Sequence, residues 1–242
     1  MLAVAGAAPV PCGAQPLTVS VASSLSEVMA DVGRAWQAAG GPGVILNAAG
    51  SNVLARQIAQ GAPVHVFVSA DRAQMEVARA SGRLVQSSIR DVLSNVLVVI
   101  VPAGKAGITF RPGDLAAPGV RRLALGNPDS VPAGVYAREW LDRIGLWSAV
   151  TSKVVPTLTV RAALAAVRAG RADAGVVFAT DAKTAPDVVV VYTVPAEDAP
   201  VIRYPAAVVR GPREADAARF VQFLSTPPAR AVFEAAGFVM VP

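Results

Sequence analysis

Three serines stand where an extended segment gives way to a helical one. Ser23 and Ser24 lie in "VASSLSE" (21–27), and Ser51 lies in "AAGSNVL" (48–54). A serine at such a point commonly caps the helix, its hydroxyl accepting from an N–H one turn in. The same hydroxyl, together with the unpaired N–H groups of the first helical turn, can instead hold an anion. Two further helix starts offer the same chemistry. In "GNPDSVPAGVYARE" (126–139), Pro132 suits a first turn because it has no N–H to lose, while Ala133 and Gly134 leave backbone amides open to close approach. In "TLTVRAAL" (157–164), Thr159 is a candidate N-cap, so Val160 offers an early helix N–H. Together these turns describe a dehydrated pocket of neutral donors. That suits a small dianion that is fully deprotonated at neutral pH.

Other chemistries find little support. The chain has one histidine, His65, and one cysteine, Cys12. An internal disulfide is impossible, a His-rich metal site is excluded, and His-based catalysis has little to work with. No Walker motif, dinucleotide fingerprint or G-x-S-x-G elbow is present. The net charge is +5, but Arg and Lys are scattered, without a basic block or interleaved aromatics. That argues against a nucleic-acid partner and leaves at most a mild field that steers an anionic ligand.

The elements that must carry these turns alternate between strand and helix. Strands are expected at 17–22, 43–48 and 65–70, with helices following at 25–38, 51–60 and 72–80. A single long apolar strand is expected over Val92–Val101. Strands follow at 121–128, 172–179, 187–194 and 204–209, and helices at 133–144, 160–169, 213–225 and 227–236. The pattern predicts an α/β fold with parallel sheets covered on both faces. Ligands in such folds gather at the carboxyl ends of strands, where the serine turns lie. Of the 242 residues 53% are hydrophobic, mostly Ala and Val, which suits buried strands and close-packed helices. No apolar run reaches the ~18 residues of a membrane helix. Residues 1–14, "MLAVAGAAPVPCGA", read as the remnant of a secretory signal cut near Gln15, with a lipid anchor at Cys12 disfavoured by Pro11.

The stretches "VASSLSEVM", "GSNVLARQIAQGAPVHVFVSAD", "LALGNPDSVPAGVYAREWL", "TLTVRAALAAVRAG" and "YPAAVV" resemble the periplasmic molybdate-binding proteins, the solute receptors of molybdate ABC importers. The resemblance runs from about Leu17 to the C-terminus. It implies a type II periplasmic-binding fold: two lobes, each with a mostly parallel sheet flanked by helices, joined by two hinge strands. Lobe I would take residues 15–96 and 205–242, and lobe II 97–204, with hinges near Val92–Val101 and Arg203–Ala207. By motif, Ser24 and Ser51 match the family's two binding serines. Ala133 and Val160 match the positions whose backbone amides reach the ligand from the other lobe. Phe178 stands where well-known members carry a tyrosine that donates its hydroxyl; Thr180 is a hydroxyl that could serve in its place. His65 replaces an aspartate and is expected to have a packing role. The implied function is capture of molybdate or tungstate in the periplasm for delivery to a membrane ABC permease. The receptor would be a monomer, with no cofactor and with molybdenum present only as the bound oxyanion. The alternatives are a receptor for another tetrahedral oxyanion such as sulfate, or a serine hydrolase using Ser24 or Ser51.

Overall fold

The structure, a computed structural model, describes residues 15–105 and 109–241. The signal-remnant reading of residues 1–14, Cys12 included, lies outside them. The chain begins with β1 (Leu17–Ala22), α1 (Ser26–Ala38), β2 (Val44–Ala49), α2 (Ser51–Ala59), β3 (Val66–Val68), α3 (Arg72–Ala80) and β4 (Arg90–Ser94). It then crosses to β5 (Leu97–Pro102), β6 (Leu123–Gly126), α4 (Pro132–Arg143), α5 (Trp147–Val150), β7 (Val154–Thr157), α6 (Val160–Arg168), β8 (Ala174–Phe178), α7 (Ala179–Lys183) and β9 (Val188–Thr193). Finally it returns through β10 (Tyr204–Val208) to α8 (Glu214–Phe223), α9 (Pro227–Ala236) and β11 (Val239–Met240).

Two sheets result, one in each lobe. The first has the order β11-β4-β10-β3-β1-β2 and the second β7-β6-β8-β5-β9. In the first, β1 pairs in parallel with β2 and β3; in the second, β6 pairs in parallel with β7 and β8. The pairs made by β4, β5, β9, β10 and β11 are antiparallel. The sheets are therefore mixed rather than mostly parallel. β5 and β10, the strands entered just after each crossing, run against the direction of the strands built by βαβ units, while β4 and β9 run with them.

The apolar run Val92–Val101 is two strands, not one. β4 ends at Ser94 in the first sheet, and β5 starts at Leu97 in the second. Asn95 makes the break: its Oδ1 accepts the N–H of Val96 at 2.9 Å, diverting a donor that a continuous ladder would use. Ser94 Oγ donates to the Ile202 carbonyl at 2.9 Å, tying this crossing to the returning segment before β10.

Period-two alternation explains why both faces of the first sheet are dry. Val66 and Val68 of β3, with Tyr204, Ala206 and Val208 of β10, join the main core under α1, α8 and α9. Phe67 and Ala207 point the other way, into a smaller cluster with Leu54 and Ile58 of α2 and Met75 of α3. On α1, Val28, Met29, Val32 and Trp36 are buried at helical spacing, as the sequence pattern requires. β7 and β11 carry no clear sequence signal. β7 is an edge strand containing Pro156 with two exposed residues, and β11 has only two residues.

Candidate functional site

β1 runs into a 3-10 turn, Ser23–Leu25, before α1 begins. Ser24 is buried there and caps nothing; α1 has no side-chain cap. Its Oγ lies 3.3 Å from Tyr204 Oη. Ser51 is the first residue of α2, whose N-cap is Gly50, again without a side-chain cap. Its buried Oγ accepts the N–H of Ala70 at 3.0 Å, tying the start of α2 to the loop after β3. The ordinary use of a serine at a helix start is therefore not what either residue does.

The opposing lobe contributes two helix starts. Pro132 opens α4, so Ala133 is the first residue of that helix with an N–H to offer. The turn is pressed onto the end of β6. A Cβ at Gly134 would sit 1.9 Å from the Gly126 carbonyl oxygen, so only glycine fits. At α6 the expected cap is present: Thr159 Oγ1 accepts the N–H of Ala162 at 3.0 Å. The N–H of Val160, one residue into the helix, has no intrahelical acceptor. The lobes approach closely beside this point. A Cβ at Gly50 would lie 3.0 Å from the Leu158 carbonyl oxygen and 2.7 Å from Asn52 Oδ1.

Ser24, Ser51, Ala133, Val160 and Phe178 all line one small cavity, along with Ala22, Ser23, Gly50, Ala70, Val131 and Pro132. Its volume is about 10 Å³, a narrow space between closely approaching lobes. That is far below the ~300–1,000 Å³ of sites for drug-sized ligands. No residue in this lining is ionisable. The positive potential comes from the N-termini of α2, α4 and α6, each worth roughly half a unit charge. The Phe178 ring is fully buried, 5.7 Å from the Tyr204 ring and 6.4 Å from that of Tyr136.

The surroundings hold several groups that sequence reasoning did not assign. Asn95, Thr180 and Tyr204 are buried and joined: Asn95 Nδ2 donates to Thr180 Oγ1 at 2.8 Å and to Tyr204 Oη at 3.3 Å. Thr180 Oγ1 accepts from Asn95, and the residue is absent from the cavity lining. Two signals were visible: a lone Asn inside the apolar run 92–101, and a Tyr opening "YPAAVV". Burial raises the Tyr204 hydroxyl well above its ordinary pKa. Beside the cavity residue Ala70, Asp71 caps α3 by accepting from the Gln74 N–H at 2.7 Å, and burial raises its carboxyl to about 6.

Arg161 bridges the lobes, pairing with Glu27 of α1 and lying 2.7 Å from Asp181 Oδ1, off the axis of a good hydrogen bond. Asp181 is fully buried, and burial lifts its carboxyl to about 7 against the pull of Arg161. His65 is remote from this chemistry. Its Nδ1 accepts the Thr18 N–H at 2.8 Å, and burial, with Arg213 nearby, lowers its pKa. It does not line the cavity, so neither serine has a histidine base there.

Residues 17–239 match the family model for bacterial extracellular solute-binding proteins. The chain is 35% identical to the molybdate-binding protein ModA of Escherichia coli, covering 93% of this chain and 89% of that protein. It is 32% identical to ModA of Haemophilus influenzae, with 92% and 89% covered. Among solved structures, the periplasmic molybdate-binding protein of Azotobacter vinelandii superposes with a TM-score of 0.81 at 26% identity, covering 93% of this chain and 99% of that one. Two lobes, a small cavity between them lined by neutral helix starts and this likeness along nearly the whole chain lead to one assignment: the chain belongs to the bacterial extracellular solute-binding proteins, in the family of the molybdate-binding proteins.

Proposed function

We propose that this protein captures molybdate, or tungstate, between its two lobes and delivers it to a membrane ABC permease. The observation that carries the reading is the convergence of Ser24, Ser51, Ala133 and Val160 on one small cavity without an ionisable lining residue. Ser24 and Ser51 would bind by hydroxyl and backbone amide, Ala133 and Val160 by backbone amide. Phe178 would line the pocket without donating. Lobe I comprises 15–96 and 205–242, and lobe II 97–204. The ligand is cargo: molybdenum enters only as the oxyanion, no resident cofactor takes part, and no covalent step occurs.

Such a site rejects a protonated oxyanion, whose hydroxyl would meet no acceptor. Cavity size must then separate molybdate from the smaller sulfate. The reading places a monomeric receptor in the periplasm, exported by a cleaved signal. Among the described residues no helix is long and apolar enough to cross a membrane. Isothermal titration with molybdate, tungstate, sulfate and phosphate tests the reading. Binding of the first two and none of phosphate is expected. Preference for sulfate would reassign the ligand, and no binding of molybdate would overturn the proposal.

A further inference from the structure

The two serines of the cavity are themselves held by neighbours, and for Ser24 those neighbours make one hydrogen-bond direction available. Asn95 lies at the first crossing between lobes and Tyr204 opens β10 after the second. Because Asn95 Oδ1 accepts the Val96 N–H at 2.9 Å, its amide has one orientation, and Nδ2 is the donor end. The two amide hydrogens have two partners, Thr180 Oγ1 at 2.8 Å and Tyr204 Oη at 3.3 Å. The phenol oxygen therefore accepts from Asn95, and its single hydrogen is available to its other neighbour, Ser24 Oγ, at 3.3 Å, in a pair where either oxygen can donate. With Tyr204 as the donor of this pair, Ser24 accepts, and its own hydrogen is free for the cavity it lines. Ser51 follows the same logic by a simpler route, since the Ala70 N–H occupies the acceptor side of its hydroxyl.

We propose that Tyr204 and Asn95 are positioning residues that hold the Ser24 hydroxyl as a donor toward the bound oxyanion. The proposal rests on the molybdate reading above and assigns a role to residues that do not line the cavity. Burial raises the Tyr204 pKa, which keeps its proton in place throughout the working pH range. Thr180, on the lobe II side, and Ser24, on the lobe I side, are joined through two groups at the lobe crossings. The donor geometry at Ser24 is thus set by the same contacts that fix how the lobes meet. A serine held as donor also adds to the penalty against a protonated ligand.

The test is a double-mutant cycle read by isothermal titration with sodium molybdate, on the parent, Ser24→Ala, Tyr204→Phe and the double variant. Tyr204→Phe keeps the ring that packs on Phe178 and removes only the hydroxyl. It should weaken molybdate about tenfold in the parent background, the scale of one misdirected hydrogen bond to a charge. In the Ser24→Ala background the same change should alter the dissociation constant less than about twofold, because the residue through which Tyr204 acts is gone. An equal loss in both backgrounds would show that Tyr204 merely supports the fold, and no loss in either would show that it does not act on Ser24. Both results overturn the proposal. Asn95→Ala, which keeps the phenol, carries the same cycle if Tyr204→Phe does not fold, with the same cancellation expected. A parent that binds no molybdate would overturn the functional reading itself, a result distinct from a parent that binds and a cycle that shows no coupling.

Discussion

Ser51→Ala separates two roles that most serine substitutions confound. Ser51 is 1% exposed, and its Oγ accepts the Ala70 N–H at 3.0 Å. Removing the oxygen leaves that amide buried without a partner, at a cost of about 1–3 kcal/mol in the ligand-free protein. No capping loss is added, because Ser51 caps nothing. For a chain of this size the melting temperature should fall by roughly 2–4 °C per kcal/mol. The ligand effect is separate. If the hydroxyl donates to a dianion, its loss weakens binding by about 1.5–3 kcal/mol, roughly 13- to 160-fold. Molybdate at 100 times the parent dissociation constant stabilises the parent by about 2.7 kcal/mol. At that concentration the variant should gain only about 0.3–1.3 kcal/mol. Urea unfolding of both proteins, with and without molybdate, reads both quantities. An unchanged ligand-free stability would refute the Ala70 contact. An unchanged molybdate increment would refute contact between this hydroxyl and the ligand.

Val160→Pro deletes one amide hydrogen at a position where proline is tolerated, and Thr159 already has the extended backbone that must precede it. Titration should show molybdate weakened by about 1.5–3 kcal/mol, and undiminished affinity would remove Val160 from the donor set. Phe178→Tyr restores a hydroxyl at the cavity wall and should tighten molybdate binding. A well-folded variant that binds no better would show that no donor position stands vacant there. Asp181→Asn probes the buried carboxyl beside Arg161. Its folded pKa is raised from 3.8 to about 7, so its stabilising contribution is complete below about pH 4 and lost as pH rises through about 7. Relative to Asp181→Asn, the parent should therefore lose stability between pH 4 and 7, and parallel stability profiles would contradict the assignment.

The site was more legible in the sequence than the frame around it. Ser24, Ser51, Ala133 and Val160 were readable because helix starts are announced by local chemistry: small residues, a proline at the first turn, a threonine cap; Phe178, at the end of a strand, was placed only by the family resemblance. Such signals survive without tertiary information. The hinge was not readable in the same way. Periodicity cannot separate one ten-residue apolar strand from two strands in different sheets, because both halves are buried on both faces. The division falls at Asn95, whose side chain takes the Val96 amide, where the chain leaves one sheet for the other. Strand direction was likewise misjudged, since alternation of strands and helices says nothing about the segments that cross between lobes. Tyr204 read as one more apolar strand residue. Its hydroxyl matters through partners 109 and 180 positions away in the chain, which no local pattern contains.

The distribution of donors says why two lobes are needed. A dianion entering this cavity loses its water, and desolvation is recovered only if fixed dipoles replace it. Ser24 and Ser51 come from the lobe of the first sheet, and Ala133 and Val160 from the lobe of the second. Neither lobe alone offers more than half the set. A lysine or arginine in the lining could have supplied the attraction from one side, but a mobile cation accepts many anions and many geometries. Helix-start amides do not titrate and cannot follow a ligand of the wrong size. In this chain the lobe approach is tight, a Cβ at Gly50 coming within 3.0 Å of the Leu158 carbonyl oxygen, and Arg161, adjacent to Val160, reaches across to Glu27. The contacts that close the lobes thus lie next to the groups that complete the donor set. On the molybdate reading, the same placement of helix starts serves both the choice of oxyanion and the meeting of the lobes.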